Sequence, residues 1–211
     1  MTAVVILGGG GHARVVIDAL RCAGHTIAGV IDPKQEVLMS LPAGIAWLGK
    51  DLSHARPGEV EVAIGVGSID VGDENPRPRL FREAKSGGFR ILSFRHPSAI
   101  VAADVSLGEG AQVMAGAILQ PGVRLGVNCI VNSGASLDHD CRIGDHVHVA
   151  PGAVLSGTVD VGDGSHLGTG AVVIQNIRIG SEVMIAAGAI VTQDVPAMTR
   201  VAPGPQRQKQ A

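Results

Sequence analysis

From Val101 to Val191 an aliphatic residue stands at every sixth position, sixteen times without a slip: Val101, Leu107, Val113, Leu119, Leu125, Val131, Leu137, Ile143, Val149, Leu155, Val161, Leu167, Val173, Ile179, Ile185 and Val191. Two places before each stands a mostly small residue, such as Ala111, Cys129, Ala135, Cys141 or Ala171. Glycine often follows directly, as at Gly108, Gly126, Gly144, Gly162, Gly168 and Gly180. A helix repeats near 3.6 residues and a strand near two, so a period of six fits neither. It fits a chain wound into stacked short strands, and it predicts a parallel β-helix with the sixth-position aliphatics inside.

Residues 1–95 follow another rhythm. VVIL (4–7) is a β-branched run that ends in four glycines. HARVVIDALRCAG (12–24) places Val15, Val16, Ala19, Leu20 and Ala23 at helical spacing. TIAGVID (26–32) and VEVAIGVG (60–67) read as strands, PRLFREAKSGG (78–88) as a helix closed by glycine, and FRILSF (89–94) as a further strand. The stretch VGSIDVGDENPRP between them reads as a polar loop. Strands alternating with helices predict a small parallel sheet. The predicted organisation is therefore an α/β domain over 1–95 and a repeat domain over 96–211.

Composition narrows the function. Aromatics are 2% of the 211 residues, with no Tyr, and 30 residues are Gly. The interior must be built from Val, Ile, Leu and Ala, which suits a narrow, regular scaffold. Net charge is −2 and no basic run exists, which argues against a nucleic-acid partner. No apolar stretch reaches the roughly 18 residues of a membrane span. MTAVVILGGG lacks the basic start of a signal peptide. Three cysteines, Cys22, Cys129 and Cys141, without CxxC spacing read as reduced thiols, which predicts a cytoplasmic location.

Gly8-Gly9-Gly10-Gly11-His12-Ala13 matches GxGxxG/A between a strand and a helix, and Asp32 ends the next strand. Glycines there let a phosphate approach the backbone, and the helix N-terminus favours an anion. About 95 residues hold one mononucleotide-binding half, which suits a single nucleotide such as that of a nucleotide-sugar.

The [LIV]-G-x-x-x-x repeat resembles the hexapeptide acyltransferases. A βαβ half beginning GGGGHA, followed by such a repeat containing VNSGASLDHDCRIGDHVHVAPGA, resembles the bacterial sugar-nucleotide acyltransferases: the sialic-acid O-acetyltransferases and the bacillosamine- and perosamine-type N-acetyltransferases, the last most of all. The resemblance runs from Val4 to about Val195. It implies a half-Rossmann (βαβ) domain followed by a left-handed parallel β-helix with three hexads per coil, here about five coils and roughly 25 Å tall at the spacing of paired strands. It also implies a homotrimer with active sites between subunits, acetyl-CoA as co-substrate and no metal. The chain departs from the family in the acidic loop after Gly65 and in its ending, VAPGPQRQKQA.

With the repeated aliphatic as position i, His139 and Asp140 are i+2 and i+3 of the Leu137 hexad, at a corner of the prism. The resemblance assigns His139 as general base and Asp140 as the carboxylate that supports it. A neutral imidazole can take a proton from an attacking amine near neutral pH. His148 stands at i−1 before Val149, on a flat face, and His166 one coil later should stack on it about 4.8 Å away. The resemblance places His148, with Thr169 and Ala187, at acetyl-CoA. It places Gly10, Gly11, His12, Ala13, Asp32 and Gly65 at the nucleotide-sugar. His139 and His148 lie half a coil apart, so they meet only across a subunit boundary. His146 reads as solvated or inter-subunit, Asp138 as a corner cap, and Cys129 and Cys141 as core residues.

The expected function is transfer of an acetyl group to the amino group of a nucleotide-activated amino sugar, for surface polysaccharide or glycan synthesis. O-acetylation of a sugar or sialic acid is the alternative within the fold. A γ-carbonic-anhydrase-like metal hydratase shares the β-helix but needs no nucleotide half, and bound zinc would distinguish it. A non-catalytic scaffold would bind no coenzyme A.

Overall fold

The structure is a computed structural model that describes residues 2–67, 71–72 and 75–203. The acidic loop falls partly, and the VAPGPQRQKQA tail mostly, outside the described residues.

The chain opens with β1 (Ala3–Leu7), α1 (Gly11–Cys22), β2 (Ile27–Ile31), β3 (Trp47–Gly49), β4 (Val60–Ile64) and α2 (Pro76–Ser86). The four strands form a parallel sheet in the order β3-β2-β1-β4. Val4–Leu7 and Val62–Ile64 are buried throughout, as continuous apolar runs of a sheet covered on both faces must be. In α1 the buried stripe is Ala13, Val16, Ile17 and Leu20, while Val15 is 40% exposed. The helix is thus rotated from the face read in sequence, with Ile17 inside. α2 starts earlier than expected because Asn75 caps it, its Oδ1 accepting from the Arg77 amide at 2.9 Å, and Pro76 suits a first helical position.

Two strand expectations are corrected. Trp47–Gly49 is an additional strand. FRILSF is not a continuous strand: Ile91 forms one bridge to Val62, and Phe94–Arg95 pairs with Gln112–Val113 of the repeat. This segment crosses from the sheet to the repeat, so only its ends pair. Ser93 is held midway by donating to the Gly108 carbonyl at 2.8 Å.

The repeat is a left-handed β-helix of two-residue strands on three faces of seven, six and five strands. Pairing steps by 18 residues, as in Ile130 with His148 and His148 with His166. Phe94–Arg95 and Arg200–Val201 extend the prism beyond the sixteen hexads, giving six courses where about five were expected. The repeated aliphatics from Val113 to Val191 are all buried, as are Ala111, Cys129, Ala135, Cys141 and Ala171. The glycine column after the aliphatics has a steric cause. A Cβ on Gly108 would lie 2.4 Å from the Gly126 backbone, and one on Gly180 would lie 2.3 Å from the Ala197 nitrogen.

The N-terminal domain sits on the seven-stranded face. Gln112 there is 1% exposed; its Nε2 donates to the Ile64 carbonyl at 2.8 Å and its Oε1 lies 2.9 Å from His12 Nε2. Met114 joins the core formed by Val16, Leu20 and Phe94. Arg77 of α2, fully buried, donates to the carbonyls of Asn128, Ile64 and Val66. Burial holds its guanidinium down at about 9.

Candidate active site

His139 and Asp140 lie at the corner between the six-stranded face, after Ser136–Leu137, and the five-stranded face, before Arg142–Ile143. Asp140 closes the turn in the left-handed region, at φ 60°, a conformation that Asp tolerates better than most residues. Asp138 Oδ1 accepts from the His139 amide at 2.8 Å, the cap expected of it. The His139 Nδ1 to Asp140 Oδ2 distance is 3.0 Å. A carboxylate can only accept, so Nδ1 carries the hydrogen and Nε2 holds a free lone pair. The Asp140 hydrogen bond, with Asp138 also near, holds the imidazole above its ordinary range. Both side chains are exposed.

The other predicted residues lie elsewhere. His148 and His166 pair in register, with ring centroids 4.8 Å apart and planes at 83°. They point outward from the seven-stranded face but are only 9% and 7% exposed. Asn132 Nδ2 lies 3.1 Å from His148 Nε2. Thr169 and Ala187 are exposed one coil apart, at the corner between the seven- and six-stranded faces. Within one chain, His139 therefore meets neither His148 nor this pair. His146, read as solvated or inter-subunit, is half-buried: it packs edge-on to Phe81 with centroids 5.4 Å apart, and Asn128 Nδ2 lies 2.9 Å from its Nδ1. Burial lowers its proton affinity. Cys129 and Cys141 are buried, and burial pushes their thiols up to about 12 and about 11, which removes them as nucleophiles at neutral pH.

The glycine turn divides into two kinds of residue. A Cβ on Gly8 would strike Val66, one on Gly9 would strike Val37, and one on Gly65 would strike the Gly8 carbonyl. These glycines are needed for packing. A Cβ on Gly10 or Gly11 would meet nothing within 4 Å, so their backbone faces open space at the start of α1. Asp32 closes the turn, accepting from the amides of Gly9 and Lys34 at 2.8 Å each. Ala13 is buried in the core, and His12 turns to Gln112 of the prism. Burial drops His12 to about 4, so its imidazole is neutral at pH 7.

A cleft of about 500 Å³ opens at the C-terminal ends of β1, β2 and β4, bounded by Gly8, Asp32, Lys50, Val66, Arg79 and Glu83 among others. Gly11 opens instead onto a shallow hollow with Arg14, Asp18 and Pro42. Lys50 and Arg79, the cations beside the cleft, were not anticipated, because nothing ties their spacing to the glycine motif. Among the described residues one group of potential metal ligands is close together, Asp18, Cys22 and His96. It includes none of the residues predicted for the site.

A family model, the PglD N-terminal domain, matches residues 3–81. Among solved structures, perosamine N-acetyltransferase from Caulobacter crescentus, as a variant in complex with CoA and GDP-perosamine, is 38% identical. The match covers 95% of this chain and 93% of that one, with a TM-score of 0.84. The acetyltransferase domain of PglB from Neisseria gonorrhoeae FA1090, in complex with acetyl coenzyme A, is 32% identical over 95% of this chain and 97% of that one, at 0.85. WeeI from Acinetobacter baumannii AYE is 25% identical over 96% and 97%, at 0.84. No curated protein sequence matches the chain.

Proposed function

The chain belongs to the hexapeptide-repeat family of sugar acetyltransferases, and from that premise we propose that it moves the acetyl group of acetyl-CoA to the amino group of a nucleotide-activated amino sugar. The observation that carries this reading is the pair His139–Asp140, with Nδ1 3.0 Å from the carboxylate. It stands in a chain that aligns nearly end to end with an enzyme crystallised with CoA and GDP-perosamine.

The sugar amine attacks the thioester carbonyl, forming the C–N bond. His139 Nε2 takes the proton that the amine sheds, and Asp140 stabilises the resulting imidazolium. The C–S bond then breaks, and the thiolate of coenzyme A leaves with a proton. No covalent enzyme intermediate is needed. The nucleotide-sugar is assigned to the open backbone at Gly10, Gly11 and His12, with Ala13, Asp32 and Gly65 shaping the turn. Each Asp32 oxygen keeps a lone pair for a ligand hydroxyl beyond its backbone bond. Acetyl-CoA is assigned to His148, Thr169 and Ala187.

These assignments require a site shared between two chains, and the assembly we propose is a homotrimer. His139 and His148 stand on different sides of one prism, and one cleft holds both when two chains contribute. The six-stranded face supports this: on three consecutive strands Val154, Val172 and Ile190 are 41%, 36% and 39% exposed, an apolar strip that begins one coil beyond the His139 corner. We place the enzyme in the cytoplasm, in line with its three free cysteines. No described helix is long and apolar enough to cross a membrane. The product would feed surface polysaccharide or glycan synthesis.

The test is acetyl transfer from labelled acetyl-CoA to GDP-, UDP-, CMP- and dTDP-linked amino sugars by the parent and by His139→Ala. The variant should remain folded, because the side chain is exposed, and turnover should fall by about 10²–10⁴-fold. A fully active His139→Ala enzyme would sink the mechanism.

A further inference from the structure

At the corner that carries His139, the residue two places after the repeated aliphatic is, coil by coil, Ala103, Pro121, His139, Gly157, Gln175 and Gln193. Over all sixteen hexads that place holds glycine once, at Gly157, one coil of 18 residues after the histidine. Neither usual reason for a glycine operates there. Gly157 is not among the positive-φ residues. The three atoms nearest to a Cβ built on it are none of them backbone. All belong to the His139 ring: Nε2 at 2.4 Å, Cε1 at 2.6 Å and Cδ2 at 3.0 Å.

We infer that Gly157 is a positioning residue for His139: its missing methyl group is the recess that seats the Nε2 edge of the imidazole while Asp140 holds Nδ1. The inference rests on the reading of His139 as the base. The His139 side chain is 59% exposed, so general packing does little to select its rotamer. Two local points fix it instead, the 3.0 Å contact to Asp140 and the bed over Gly157. A methyl group in that bed moves the ring edge by about 1 Å to reach ordinary contact distance. The ring then either leaves the Asp140 carboxylate or carries Nε2 away from the amine. A 1 Å misplacement costs up to about 10²-fold in rate. The fold tolerates the change, because what must yield is the free end of an exposed side chain. The titratable groups facing the ring are Asp138 and Asp140 of its own turn. The turns stacked on either side, Gln120–Gly122 and Ser156–Thr158, carry none, and Asp104 lies two coils away.

The experiment uses full-length Gly157→Ala, His139→Ala and the double variant. Gly157→Ala should keep the parent's melting temperature and oligomeric state. Its kcat should fall by about 10–10²-fold with KM for both substrates little changed. Where the ring leaves Asp140, the acid limb of its pH–rate profile and the NMR titration of the His139 ring should move together to lower pH; where it keeps Asp140 and only Nε2 is displaced, kcat alone should fall. In the His139→Ala background the added methyl should cost nothing further. Parent-like kcat and ring titration in Gly157→Ala would overturn the inference and leave the base reading standing. A further loss in the double variant would also overturn it, because the methyl would then act on something other than His139. If Gly157→Ala alone fails to fold, a folded double variant supports the inference, since the ring is what the methyl strikes, and an unfolded one overturns it. Full activity of His139→Ala would instead remove the reading on which the inference rests.

Discussion

At the scale of single residues, the proposed chemistry concentrates in one imidazole and its neighbours. The Asp140 carboxylate holds the His139 ring above its ordinary proton affinity, and a general base works only when unprotonated. Activity should therefore rise with pH through a limb shifted upward from that of a free histidine. In Asp140→Asn the ring loses the charge that favours imidazolium, so the limb should move to lower pH. The plateau should also fall, because an amide no longer fixes the Nδ1–H tautomer. A pH–rate profile of the two proteins checks both; an unmoved limb would mean that Asp140 does not act on His139. This pair was legible in sequence because its members are adjacent and stand in a recognisable motif. The Gln112 contact to His12 was not, since 100 residues separate them. Gly157 gains meaning only once the coil length sets it on His139.

At the scale of elements, the hexad register decides which substitutions matter. Leu137 is fully buried on the prism axis, whereas Arg142 at the start of the next strand faces solvent. Leu137→Asp buries an unpaired charge and should abolish soluble folded protein, while Arg142→Ala should leave thermal stability within about 0.5 kcal/mol of the parent. Circular-dichroism melts of both would decide; a stable Leu137→Asp would mean the register is wrong. The repeat was the most legible part of the chain, because each coil restates the same pattern. The N-terminal elements were less so. Trp47–Gly49 spans three residues, too few to show alternation. α1 is amphipathic with Ile17 inside and Val15 outside, a rotation that apolar counting alone cannot resolve. The FRILSF stretch is β-rich in composition, yet it serves as a bridge between two bodies.

At the scale of the molecule, the glycine turn and the prism faces are assigned separate ligands, and the structure makes that separation testable. A Cβ at Gly11 meets nothing within 4 Å, so Gly11→Val should fold and obstruct only a ligand lying against the start of α1. It should weaken nucleotide-sugar binding and spare coenzyme A. His148→Ala should do the reverse, with the smaller effect. Calorimetric titration of each ligand against both variants is the measurement, and crossed outcomes would require the two assignments to be exchanged. The clefts were the least legible feature: their walls combine β1, β2, the loop bearing Lys50 and the helix bearing Arg79, a set that only folding assembles.

The 18-residue pairing step also makes the length of this molecule a quantised property. Inserting six residues between His139 and His166 would swing everything downstream by a third of a turn and hand each column of side chains to the wrong face. Inserting eighteen would preserve every column and lift the later courses by one strand spacing, about 4.8 Å. Indels within the prism are thus tolerated in whole coils, and the distance between the N-terminal domain and any point along the prism can be altered only in that increment. The repeat is a ruler with one graduation, and the position of His139 on it is set by counting coils from the seam at Gln112.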